Sequence, residues 1–128
     1  KPAVVLFGER LPARFHRLRL RDMPECELLL VLGTALAVEP FAGLLQAAPP
    51  SCARVLVNRV AVRERAGGDD PGGFDFAGGD GGRCRDVAVL GACDDGCLQL
   101  AEALGGREMR AEVEGAWRRG HGRRRRRR

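Results

Sequence analysis

At 128 residues the chain has room for one modest core and excludes a large multi-domain enzyme. With 45% hydrophobic and 30% charged residues it has a globular balance, and its apolar runs fall far short of the roughly 20 residues that a membrane helix needs. The formal charge of +5 resides in the tail: without the eight arginines from Arg118 on, fourteen basic residues face seventeen acidic ones, so the body is mildly acidic.

The first predicted element is a strand, "AVVLF" at 3–7, followed by a helix over 12–23 with Phe15, Leu18 and Met23 facing inward. "LLLVL" at 28–32 is the second strand. A helix over 39–48 places Phe41, Leu44 and Leu45 at helical spacing, with Pro40 suited to its first turn. "ARVLVN" at 53–58 is the third strand. The stretch 66–83 holds eight glycines and a proline, so a long mobile loop is expected there, with Phe74 and Phe76 able to pin it to the body.

"DVAVL" at 86–90 is the fourth strand. A helix over 94–104 opens on Asp94 and Asp95 as N-cap candidates, turns Cys97, Leu100, Ala101 and Leu104 to one side, and stops at Gly105-Gly106. A weaker helix follows at 107–117, and 118–128 reads as a disordered arginine-rich tail. None of the four strands alternates between apolar and polar. Such continuous runs fit strands covered on both faces, although periodicity alone does not separate them from buried helix. Strands alternating with helices predict an α/β fold with a parallel sheet and right-handed crossovers.

Five cysteines (Cys26, Cys52, Cys84, Cys93, Cys97) form an odd set with no C-x-x-C pair, which predicts free thiols and no metal site within the chain. No secretory or transit segment is apparent, and a start at Lys1 suggests a piece of something longer.

In a parallel α/β sheet, ligands sit beyond the carboxyl ends of the strands. Three ends are suggestive: Gly33-Thr34-Ala35 after 28–32, Asn58-Arg59 after 53–58, and Gly91-Ala92-Cys93 after 86–90. Glycines allow close approach, Thr34 and Asn58 bring hydrogen-bonding side chains, and a helix start favours negative charge. Each is also an ordinary turn residue, and there is neither a G-x-G-x-x-G nor a Walker loop.

Taken in order, "KPAVVLFGERLPARF", "DMPECELLLVLGTALAVEPFAGLL", "RVLVNR" and "RDVAVLGACDDGCLQLAEALG" resemble the C-terminal half of a sirtuin NAD-dependent protein deacylase, over roughly residues 1–106. The Gly-rich stretch with "GGFDF" and the following "CDDGCLQLAEALG" are most similar to the mainly cytoplasmic branch, with the nucleus as a second compartment and a mitochondrial branch as the nearest competitor. The resemblance implies a partial Rossmann-like parallel sheet. It also implies NAD contacts from Gly33, Thr34, Ala35, Asn58, Arg59, Val60 and Cys93. Ala35 stands where a serine is usual, and Val60 where a carboxylate is usual.

An acylated lysine peptide would be clamped as an added strand between Phe7-Gly8-Glu9 and Val38-Glu39-Pro40, with Val5 and Phe7 lining the acyl-lysine tunnel. Histone- or tubulin-like acylated proteins are the implied partners. The family's catalytic histidine and zinc cysteines precede "VVLFGE", so the resemblance assigns neither His16 nor His121 as the base and leaves zinc to the parent protein. Such a chain is expected to be inactive alone. The arginine run departs from the family. It reads either as an arm for nucleic acid or as the shifted end of a GC-rich coding sequence.

Overall fold

The computed structural model describes residues 4–6, 8–64, 72–78 and 84–125. In chain order these form α1 (Ala13–Asp22), a 3-10 turn (Met23–Glu25), β1 (Leu28–Leu32), α2 (Leu44–Ala47), β2 (Ala53–Asn58), β3 (Asp86–Leu90) and α3 (Cys93–Arg125). The strands make one parallel sheet in the order β1-β2-β3, with Leu28 beside Ala53 and Arg54 beside Asp86. This is the α/β arrangement with a parallel sheet that the strand and helix pattern predicts, with three strands where that pattern counts four.

The register sorts the side chains into two faces. Leu29, Val31 and Leu56 point to one side, where Val31, Leu36, Leu45, Leu56 and Phe74 form the buried core with Leu29, Val62 and Phe76 against it. On the opposite face α3 lies close over β2 and β3. A Cβ on Gly96 would overlap Val57 Cγ1 and sit 3.6 Å from Val89 Cγ1, so glycine is what permits that approach. α3 leaves β1 uncovered on this side, and Leu28, Leu30 and Leu32 stay 47%, 38% and 41% exposed.

Three expectations are corrected. The strand at 3–7 is not formed by its described part: Val4–Leu6 are exposed and joined to no strand. The chain turns there instead, with Glu9 N donating to Leu6 O (3.0 Å), Leu6 N donating to Glu9 Oε2 (2.9 Å) and Gly8 at φ +85°. The rest of that strand, Ala3 and Phe7, lies outside the described residues. The helix at 39–48 shrinks to Leu44–Ala47, because Val38–Gly43 are taken up in turns. Pro40 has no N–H to give, while Ala42 N donates to Val38 O, Gly43 N to Glu39 Oε2 and Leu44 N to Phe41 O.

The Gly-rich stretch forms no helix or strand over its described part, residues 72–78, and there its phenylalanines hold it to the body. Phe74 is fully buried, its N donates to Arg63 O at 2.7 Å, and its ring stacks on Phe76 at 5.1 Å. Residues 66–71 and 79–83 lie outside the described residues. The tail is the third correction. α3 breaks at Gly105 and Gly106, which have non-helical backbone angles, and then runs through Arg125. Arginine is a good helix former, and Arg110 and Arg118 both pair with Glu114 one turn away.

Candidate functional site

The sheet's carboxyl end is built by three loops that hold one another. β1 leaves through Gly33 (φ +61°), whose N donates to Val57 O at 3.1 Å. Thr34 Oγ1 accepts from Leu36 N at 3.1 Å, so its own hydroxyl hydrogen stays available to donate. Asn58, the last residue of β2, is 9% exposed and splits its amide: Nδ2 donates to Thr34 O (3.3 Å) and to Val60 O (3.0 Å). Its own carbonyl accepts from Gly91 N at 2.9 Å. One side chain and its backbone thus fasten the ends of all three strands.

Cys93 starts α3 and turns its thiol to Val57 O at 3.3 Å, close under Gly33. Gly91 has φ +147° and open space where a Cβ would stand. The result is a groove of about 500 Å³. All seven residues expected to meet a nucleotide line it: Gly33, Thr34, Ala35, Asn58, Arg59, Val60 and Cys93. Val62, Gly91, Ala92 and Asp94 complete the wall. Arg59 and Asp94 bring one charge of each sign to this rim.

A second, larger groove of about 1020 Å³ lies between the segment after Val4 and the turn after β1. Val5, Gly8, Glu9, Val38, Glu39 and Pro40 all line it, together with Phe41, which rests on Phe15 of α1 at 5.2 Å between ring centroids. Val5, Leu6, Val38 and Phe41 are 41–56% exposed, so its walls are largely apolar. Phe7 lies outside the described residues. His16 stands on the rim of this groove and does not line the first one. The 33–41 connection serves both grooves.

Two features escaped the sequence reading. Arg54 and Asp86 form an ion pair with side chains 2% and 0% exposed, and Cys26 and Cys52 bring their sulfurs to 3.6 Å. The signal for the first was a charge of opposite sign opening two otherwise apolar strands. For the second it was a cysteine just before each of two strands.

Comparison with known proteins gives this geometry its context. Residues 1–40 match the Sir2 family. Over 117 residues the chain is 43% identical to the NAD-dependent protein deacetylase sirtuin-2 of Danio rerio, covering 88% of the chain and 30% of that protein. The chain belongs to the Sir2 family. It is also 40% identical over 105 residues to the NAD-dependent protein deacetylase hst2 of Schizosaccharomyces pombe, and 42% identical over 105 residues to the NAD-dependent protein deacetylase sirtuin-3 of Mus musculus. Each of these two alignments covers 82% of the chain and 27% of the relative. The chain therefore spans less than a third of the length of the curated sirtuins it matches. The sirtuin resemblance carried by "LGTALAVEPF" and its neighbours is what these comparisons find.

Proposed function

We propose that this chain forms one wall of the NAD site and both sides of the acyl-lysine peptide clamp in an NAD-dependent protein-lysine deacylase. The observation that supports it best is the convergence of three strand ends on one groove holding all seven expected nucleotide contacts. The residues there fit one end of a dinucleotide. Gly91 lets a flat ring approach the backbone, the Thr34 hydroxyl is free to donate, and Arg59 offers a cation. Bound there, NAD supplies the sugar carbon that receives the acyl group as nicotinamide leaves.

The chain's own residues bind and orient. Asn58 keeps the Thr34 and Val60 carbonyls at fixed distance and so sets the groove's width. Ala35 brings no hydroxyl and Val60 no carboxylate, which lowers the number of polar contacts to NAD. In the second groove, Gly8-Glu9 and Val38-Glu39-Pro40 face an extended peptide from two sides, and Val5 and Phe41 meet the aliphatic stem of its lysine. Acylated proteins of the histone or tubulin kind are the proposed substrates, in the cytoplasm first and the nucleus second. No helix among the described residues is long and apolar enough to cross a membrane.

The general base and the zinc module are assigned to the parent protein, not to His16 or the five cysteines. The 128-residue chain is accordingly inactive alone. The test is deacetylation of an acetyl-lysine peptide by the purified chain with and without NAD. No acetyl release is expected in either case; release that depends on NAD contradicts the assignment. A second reading concerns α3, whose last turns carry the arginine series toward Arg125. If these arginines bind nucleic acid, the affinity falls steeply with salt and disappears when 118–128 are deleted.

A further inference from the structure

Cys26 closes the 3-10 turn two residues before β1, and Cys52 stands one residue before β2. The parallel register sets Leu28 beside Ala53, and Ala53 N donates to Glu27 O at 3.0 Å, so the two cysteines flank the start of neighbouring strands. Their sulfurs lie 3.6 Å apart, close enough to bond after a small side-chain movement. Cys26 is partly exposed and Cys52 has no exposed surface. Four thiols face backbone carbonyls, Cys26 that of Leu28, Cys52 that of Ala53, Cys84 that of Asp86 and Cys93 that of Val57, but only Cys26 and Cys52 also face each other among the described residues.

We propose that Cys26 and Cys52 form a dithiol–disulfide couple, a redox modification site whose co-substrate is a low-molecular-weight disulfide. The Cys26 thiolate, the one a small molecule can reach, attacks one sulfur of that disulfide. A Cys26 mixed disulfide forms, and the first small thiolate leaves and takes up a proton. Cys52 then gives up its proton and attacks the Cys26 sulfur; the protein disulfide forms and the second small thiol is released. Two protein thiols lose two electrons and two protons, and one small disulfide becomes two thiols. Burial pushes the pKa of the Cys52 thiol up, which leaves the first attack to Cys26 and the second, proximity-driven step to Cys52. The bond closes a loop that contains Thr34, Ala35 and Val38–Pro40, and so ties down the connection that serves both grooves.

The test uses the full chain in buffers of graded oxidised and reduced glutathione, quenched with acid, alkylated and digested with trypsin. No Lys or Arg lies between Asp22 and Ala53, so both cysteines fall on the single peptide 22–54. As the oxidised fraction rises, that peptide is expected to lose both alkyl groups together, run about 2 Da below its dithiol mass, and regain both groups after dithiothreitol. The oxidised chain should also melt several degrees higher. The same oxidation in urea spreads pairing over all five cysteines. In Cys52→Ala the reaction stops with one glutathione on Cys26. A peptide 22–54 that keeps two alkylatable thiols at the most oxidising ratio overturns the proposal. So does a wild-type peptide that stops at the glutathione adduct, or pairing of Cys26 with Cys84, Cys93 or Cys97.

Discussion

Arg54 on β2 grips the Asp86 carboxylate of β3 at two points, Nε to Oδ1 at 2.6 Å and Nη2 to Oδ2, with both side chains sealed from water. The pair is also the hub of its surroundings. Arg54 donates to the carbonyls of Leu45 and Gly73 and lies 5.2 Å from the Phe74 ring, while Asp86 accepts from Asp75 N at 2.6 Å. Two strands, α2 and the Gly-rich stretch are joined through one guanidinium and one carboxylate.

Removing one partner leaves the other charge buried without compensation. Asp86→Asn is expected to cost about 3–5 kcal/mol, read as a fall in the urea midpoint. The double change Arg54→Met with Asp86→Leu is expected to cost less than the sum of the two single changes, because no charge is stranded. Additive costs would show that the two groups do not act as a pair.

Among the described residues Phe74 is the largest fully buried side chain, although it sits among glycines. Phe74→Ala is expected to cost about 3–5 kcal/mol, as for a core aromatic. A change near zero in chemical denaturation would mean that the stretch is not packed on the sheet.

The outcome of reading the sequence divides along physical lines. The strands at 28–32, 53–58 and 86–90 were legible with their bounds, since short apolar runs between turn residues leave little else to form. The run at 3–7 had the same composition, yet Val4–Leu6 find no partner strand, and strand formation depends on partners that local pattern does not contain. Phe74 and Phe76 were legible as residues able to pin the Gly-rich stretch, but composition did not say that the Phe74 ring would enter the core. Arg54 and Asp86 stayed invisible until the register placed them side by side. The groove residues were named through family resemblance and strand ends together; neither the Asn58 clamp nor the engaged carboxylates of Glu9 and Glu39 was legible in residue types alone.

The groove makes two opposite predictions for NAD or ADP-ribose. Ala35→Ser restores a hydroxyl where the family usually has one, and a net hydrogen bond of about 0.5–1.5 kcal/mol corresponds to binding about 2- to 13-fold tighter. Asn58→Ala releases the Thr34 and Val60 carbonyls and is expected to weaken binding by about tenfold. Titration calorimetry on the two variants and the parent chain measures both.

Burial pushes the Cys52 thiol up, and the neighbouring Cys26 thiol adds to the rise. The folded chain therefore keeps that proton at pH values where the unfolded chain has lost it. Stability from this group is complete below the ordinary thiol range and falls as pH rises through that range toward the folded value. Under reducing conditions, the urea midpoint is expected to drop at alkaline pH less in Cys52→Ala than in the parent. An identical slope in both would remove Cys52 as the cause.

The most direct test of the assigned nucleotide wall is an NMR titration of the 128-residue chain with ADP-ribose. Amide shifts are expected to concentrate at residues 33–35, 58–60 and 91–94, with the dispersed signals of β1, β2 and β3 otherwise unchanged. A folded sheet whose shifts fall elsewhere, or do not move at millimolar ligand, would contradict that assignment.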